Sequence, residues 1–315
     1  MRRDQLWTII KFSNLDELQT NRILDAHIYP SKSGWNAFIR IALLTLGAGF
    51  FTAGVIFFFA YNWDYLSKFT KLGIMEFLVF AFAAVYFIKS LNPLIRNVSL
   101  TVSAILVGGM FSVFGQIYQT QSIAFDLMLN WSLAVTLWVL VARFAPLTAL
   151  WLILLQITLL LYLEQVAHSY NELLLFFLIS IANLSVLVVP HLAFRLRMAL
   201  YSPIWLSMTA LSACLVFLTL GMERGINELS NPWFIPHAIL TILVLVSSAR
   251  QGFNMRMLTP LVMTAICTII IISFFIIKWN DNEPGLLLLT AFILSSVVIL
   301  ARYLIRLNRK WHGEE

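Results

Sequence analysis

Long apolar runs separated by short polar breaks set the pattern of this chain. Ten runs come near the roughly 20 apolar residues that a bilayer-spanning helix needs. They cover 39–61, 72–89, 97–115, 127–142, 145–163, 172–189, 199–220, 234–249, 257–277 and 285–304. Each run is continuous and rich in Leu, Phe and Ile. That excludes an outer-membrane barrel, whose strands alternate over about ten residues. The prolines agree with this parse. Pro30 and Pro93 are placed in loops, and Pro146, Pro190, Pro203, Pro232, Pro236, Pro260 and Pro284 at or near span ends. Proline lacks the amide proton that a helix interior needs and so punctuates helices there.

Residues 1–38 precede the first run. Leu15, Leu18, Ile23 (or Leu24) and Ile28 recur at roughly helical spacing. Ser13 or Asn14 is placed to cap such a helix, with Asp16 and Glu17 at its positive dipole end. The expected organisation is therefore a cytoplasmic amphipathic preamble (1–38), spans one to five (39–165), spans six to ten (166–305) and a cytoplasmic tail (306–315).

Composition narrows the class. The chain is 60% hydrophobic and 11% charged, with a mean hydropathy of +0.87. Soluble domains carry roughly 25% charged residues. A soluble globule, a disordered chain and, with two cysteines, a disulfide scaffold are all excluded. The expected fold is an all-α polytopic membrane bundle of about ten helices. Orientation follows from Lys and Arg, which concentrate on the cytoplasmic side. With the N-terminus inside, seventeen of the 21 lie in cytoplasmic segments, and Lys68, Lys71, Arg224 and Lys278 lie outside. Both termini are thus expected to be cytoplasmic. The net charge of +6 is a topology signal, and no nucleic-acid partner is expected. The basic inner face suits anionic lipid headgroups. Arg2 and Arg3 are not followed by a short apolar segment, so no cleavable leader is expected.

Small and polar residues inside the spans give finer expectations. Gly47, Gly49, Gly54, Gly73, Gly108, Gly109 and Gly115 all fall in the first three spans. Small residues let helix backbones approach closely in lipid, so these spans are expected to form a tight core, with bulkier Leu/Ile packing beyond. Cys214 and Cys267 read as small buried hydrophobes. Gln156 and Asn183, near mid-membrane in spans five and six, are expected to bond across helices. Trp63, Trp131, Trp233 and Trp279 sit near outer span ends, where interfacial belts enrich tryptophan. Glu164 and His168 have a ligand-like spacing but no third partner, and no metal is expected.

Candidate chemistry gathers at the outer ends of the first four spans. Asn62, Asp64, Lys71, Gln116, Tyr118, Gln119, Asp126, Asn130 and Trp131 share that depth. Glu76 is the carboxylate well inside a span, roughly 7–8 Å below Lys71 at 1.5 Å per residue. Acids inside membranes are costly and often functional. Two roles follow for Glu76. One is a proton- or cation-responsive switch. The other is a packing role, bonded to Lys71, Gln116 or Tyr118. No phosphate loop, HExxH, CxxC or GxSxG motif occurs. No cofactor is expected, and a catalytic role is disfavoured.

The same residues carry a likeness to a known family. Asn62-Trp63-Asp64, Lys71-Leu72, Gly115-Gln116-Ile117-Tyr118-Gln119-Thr120, and Asn130-Trp131 with Arg143 and Pro146 resemble a family of prokaryotic membrane proteins, domain of unknown function 2157. The likeness spans roughly residues 10–165. Members usually continue the Gln-Thr run with Gly-Ala-Asp. Here the chain reads Gln121-Ser122-Ile123, with Asp126 a little later. The resemblance implies a bacterial inner-membrane location and neighbouring multi-pass proteins as partners, and it implies no named activity. Two functions are expected. One is transport or lipid handling at the outer polar cluster with Glu76 as titrating switch. The alternative is a non-catalytic scaffold or assembly partner of a membrane complex.

Overall fold

The computed structural model describes residues 32–62, 64–118, 123–167, 171–195, 203–280 and 283–312. Ten helices form among them: α1 Lys32–Tyr61, α2 Lys68–Phe87, α3 Pro93–Tyr118, α4 Ala124–Ala142, α5 Ala145–Gln165, α6 Glu172–Arg195, α7 Ile204–Asn227, α8 Phe234–Met255, α9 Leu258–Trp279 and α10 Glu283–His312. All ten are long and apolar enough to cross a membrane. They match the ten sequence runs one for one, and the described residues contain no strand.

Helix ends differ from the sequence expectation in several places; α10 runs to His312, past the expected span end at 304 and through most of the expected tail (306–315), and α6 runs to Arg195, past 189. Pro93 opens α3 instead of lying in a loop, because the first helical position needs no amide donor and its φ suits proline. α1 starts at Lys32, seven residues before the apolar run, so 32–38 are helical and belong to α1. α7 begins at Ile204, with Pro203 as its extended cap residue, where the apolar pattern alone had placed the start at 199. The expected preamble helix over 13–28 lies outside the described residues.

Contacts divide the chain into two compact units, 1–106 with 308–315, and 107–307. In the first unit, α2 turns Lys71, Met75 and Val79 inward along one stripe. Two serines of α3 fasten that stripe. Ser103 Oγ donates to Val79 O at 2.7 Å and Ser99 Oγ to Phe82 O at 2.8 Å. Arg96 Nε donates to Tyr86 O at 2.6 Å, and its guanidinium lies 5.0 Å above the Tyr86 ring. Phe51 of α1 meets Phe82 with ring centroids 5.1 Å apart. The expected tight glycine core is absent here. A Cβ added at Gly47, Gly49, Gly54 or Gly73 would meet nothing within 4 Å.

The second unit holds the densest packing. α7 packs against α6, α8 and α9, and buries Leu211, Cys214, Leu215 and Leu218 with Val244 and Cys267. Both cysteines are buried, as their small apolar character suggests. Close approach at glycine occurs in this unit, at Gly108 of span three, where tight packing was expected, and at Gly221, where bulk was expected. At Gly108 of α3 the indole of Trp131 occupies the space of the missing side chain, 2.4 Å from where a Cβ would stand. At Gly221 of α7 the His237 ring does the same at 2.2 Å. Two-residue connections close the α4–α5 and α8–α9 hairpins. Each is turned by a left-handed arginine, Arg143 (φ 48) and Arg256 (φ 52).

Candidate functional site

The candidate residues fall into both units, and each group is built by its own helices. In the first unit, Asn62 follows the last turn of α1. Its Nδ2 donates to Phe58 O at 2.9 Å, and its carbonyl accepts from Tyr65 and Leu66 amides at 3.2 Å each. Asn62 thus closes α1 and starts the turn to α2. Asp64 is exposed in that turn. Ser67 caps α2 by accepting from Thr70 N at 3.1 Å. Lys71 lies in the first turn of α2 and is buried, at 7% exposure.

Glu76 lies elsewhere on α2. It is exposed, as are Phe69, Gly73, Phe77 and Phe80 around it. At 100° per residue it stands about 140° around the helix from Lys71. It therefore belongs to the outward face, and the inward stripe of Lys71, Met75 and Val79 excludes it. The pairing of Glu76 with Lys71 considered from sequence is not made.

In the second unit, Gln116 and Tyr118 are exposed at the end of α3. The Tyr118 ring meets Phe114 with centroids 4.6 Å apart. Gln119 lies outside the described residues. Asp126 and Asn130 come together at the start of α4 and act on the helix itself. Asp126 Oδ2 accepts from Ile123 N at 3.2 Å, and Asn130 Nδ2 donates to Asp126 O at 2.8 Å. A carboxylate in the first turn satisfies a free amide and complements the helix dipole. Trp131 is half-buried against Gly108. Its indole packs between α3 and α4, which a position in an interfacial belt does not require.

Further along, Gln156 Nε2 donates to Asn183 Oδ1 at 3.2 Å, the bond expected from sequence between α5 and α6. His168, the partner considered for Glu164, lies outside the described residues. Among the described residues no cluster of three or more His, Cys, Asp or Glu suits a metal.

Sequence reasoning missed a polar arrangement at the α6–α7–α8 end. Glu172 pairs with Arg224 Nε at 2.6 Å. Asn171 and Asn231 exchange amide bonds at 3.3 and 3.4 Å. Beneath them His237 is fully buried, with Nε2 3.0 Å from Leu218 O. A carbonyl only accepts, so Nε2 carries the proton and Nδ1 is left as a buried acceptor without a partner among the described residues. Two signals were available in the sequence: a lone histidine near a span start, and a glycine in the preceding span.

Residues 13–148 match the family model described as predicted membrane protein, domain of unknown function 2157. That range contains all of the candidate residues and ends soon after α4. No curated protein and no solved structure matches the chain. The chain is thus a multi-pass helical membrane protein whose helices contact the lipid bilayer.

Proposed function

We propose that the chain is a non-catalytic component of a membrane-protein assembly in a bacterial inner membrane, and that the outward face of α2 receives a membrane helix of a partner. The observation that carries this reading is the position of Glu76. It stands roughly 12 Å along α2 from Lys68 at 1.5 Å per residue, exposed between Gly73 and Phe80. An acid at such depth costs about 2–3 kcal/mol if it faces lipid. A partner helix that offers a hydroxyl or amide offsets that cost. Gly73, one turn before Glu76, has open space where a side chain would stand. A small residue beside a polar one is the combination that lets two membrane helices approach and bond. The cytoplasmic position of both termini belongs to the same proposal and rests on the Lys and Arg distribution.

Transport or lipid handling would use the same carboxylate as a titrating switch lining a polar passage. The neighbours of Glu76 on the outward face are Phe69, Phe77 and Phe80, and Asp126, Asn130 and Asn62 are engaged in helix ends. These contacts favour assembly. The test is photo-crosslinking in cells from a reactive residue placed at Phe80, with the same residue at Leu287 on α10 as comparison. The expected result is one discrete protein adduct from position 80, lost in Glu76→Leu and absent from position 287. Lipid adducts alone at both positions, or an adduct indifferent to Glu76, would overturn the proposal.

A further inference from the structure

We infer that a groove between the first turns of α1 and the start of α3 holds one anionic glycerophospholipid. The groove is half open, offers about 740 Å³ and lies within the first unit. That is the size of a typical small-molecule site, roughly 300–1,000 Å³. Asn36, Arg40 and Asn92 line it with Ile39 and Leu94 among them, and Leu43, Leu44 and Ile95 continue it as an apolar wall further along α1 and α3. This arrangement suits a phospholipid, with one end anionic and hydrogen-bonding and the other an acyl chain.

Charge selects the anionic headgroup. The helices that line the groove, α1 and α3, contain no acid, and neither does the connection from Ile88 to Asn92. Arg40 is exposed and has no carboxylate partner among the described residues. Lys89, in the connection before α3, is exposed as well. Arg96 is already committed to Tyr86 through its hydrogen bond and ring contact, which leaves Arg40 as the guanidinium at the groove among the described residues. A guanidinium meets a phosphate with paired, charge-assisted hydrogen bonds. Asn92 Oδ1 accepts from Leu94 N at 2.9 Å, which holds that residue at the mouth of the groove.

Position agrees with charge. Trp35 and Phe38, both exposed, stack at 5.4 Å and 24° at the same end of α1. An exposed aromatic pair beside Lys and Arg marks the interface between headgroups and acyl chains. The Lys and Arg distribution assigns this end to the cytoplasmic side, where anionic lipids attract basic groups. The inference rests on this groove and stands apart from the proposal for the α2 face.

The test is native mass spectrometry of the full chain in mild detergent, titrated with phosphatidylglycerol, phosphatidylcholine or inorganic phosphate. Wild type is expected to retain one phosphatidylglycerol in preference to phosphatidylcholine. Arg40→Gln is expected to weaken that binding about fivefold, in line with one basic group near the membrane surface. Arg40→Lys keeps most of it, and Arg302→Gln on α10 leaves it unchanged. Ile95→Trp, which fills the space beside the apolar wall without altering charge, is expected to reduce lipid retention while phosphatidylcholine binding elsewhere persists. A preference that survives Arg40→Gln, or that falls equally with Arg302→Gln, would overturn the inference. So would inorganic phosphate competing as well as the lipid, since the groove would then be a phosphate site only.

Discussion

Replacing Gly221 by alanine tests how α7 and α8 are held together. The added Cβ would stand 2.2 Å from Cε1 and Nε2 of His237. Ordinary contact begins at about 3.4 Å, so the ring and the backbone must separate by about 1.2 Å. The ring is fully buried and anchored to Leu218 O at 3.0 Å. Overpacking of this kind costs about 1–3 kcal/mol. Pulling Nε2 from its carbonyl adds about 1–3 kcal/mol, because a second ring nitrogen is then buried without a partner. Against this, alanine gains about 1 kcal/mol over glycine in a helix. The net loss is about 1–5 kcal/mol, centred near 3. For a unit of this size the central value lowers Tm by roughly 5–10 °C, measured by thermal unfolding in detergent. Gly47→Ala, where the new methyl meets nothing within 4 Å, is expected to be neutral or slightly stabilising. His237→Ala combined with Gly221→Ala is expected to remove most of the coupling between the two positions. If Gly221→Ala unfolds no earlier than Gly47→Ala, the packing argument is wrong.

Three further perturbations follow. Asn183→Leu removes the acceptor for Gln156 at 3.2 Å. The double variant with Gln156→Leu is expected to show a coupling of about 0.6–1.7 kcal/mol in a double-mutant cycle of unfolding free energies. Arg256 holds a left-handed turn at φ 52, which costs a non-glycine residue about 1 kcal/mol. Arg256→Gly is expected to raise Tm by a few degrees and Arg256→Val to lower it. If the proposed cytoplasmic position of the C-terminus, drawn from the Lys and Arg distribution, is right, a C-terminal fluorescent-protein fusion is expected to glow in cells while alkaline phosphatase at the same point stays inactive.

The ten helices were legible because length and hydropathy are properties of single segments. Their ends were less so where backbone chemistry decided. Pro93 opens a helix that hydropathy alone places further on, and Lys32 starts α1 before its apolar run begins. Gln156 and Asn183 were readable because two amides at equal depth in adjacent spans have few other partners. The glycines of α1 and α2 misled while Gly108 of α3 packs closely as expected, because a small residue permits close approach without specifying the neighbour. Gly47 and Gly54 have open space where Gly108 and Gly221 have aromatic rings. Within the polar cluster drawn from shared depth, local backbone chemistry was not legible. Asp126 and Asn130 serve the start of α4. Glu76 shares α2 with Lys71 and takes a different face, set by which stripe of the helix packs inward. His237 escaped notice because its burial depends on a glycine in the neighbouring helix.

A density map of the protein purified in its native lipid tests the assembly claim most directly. The account predicts a helix of another protein lying along α2, in contact with Gly73 and Glu76. A face of α2 covered only by disordered lipid, with Glu76 bare, would contradict it.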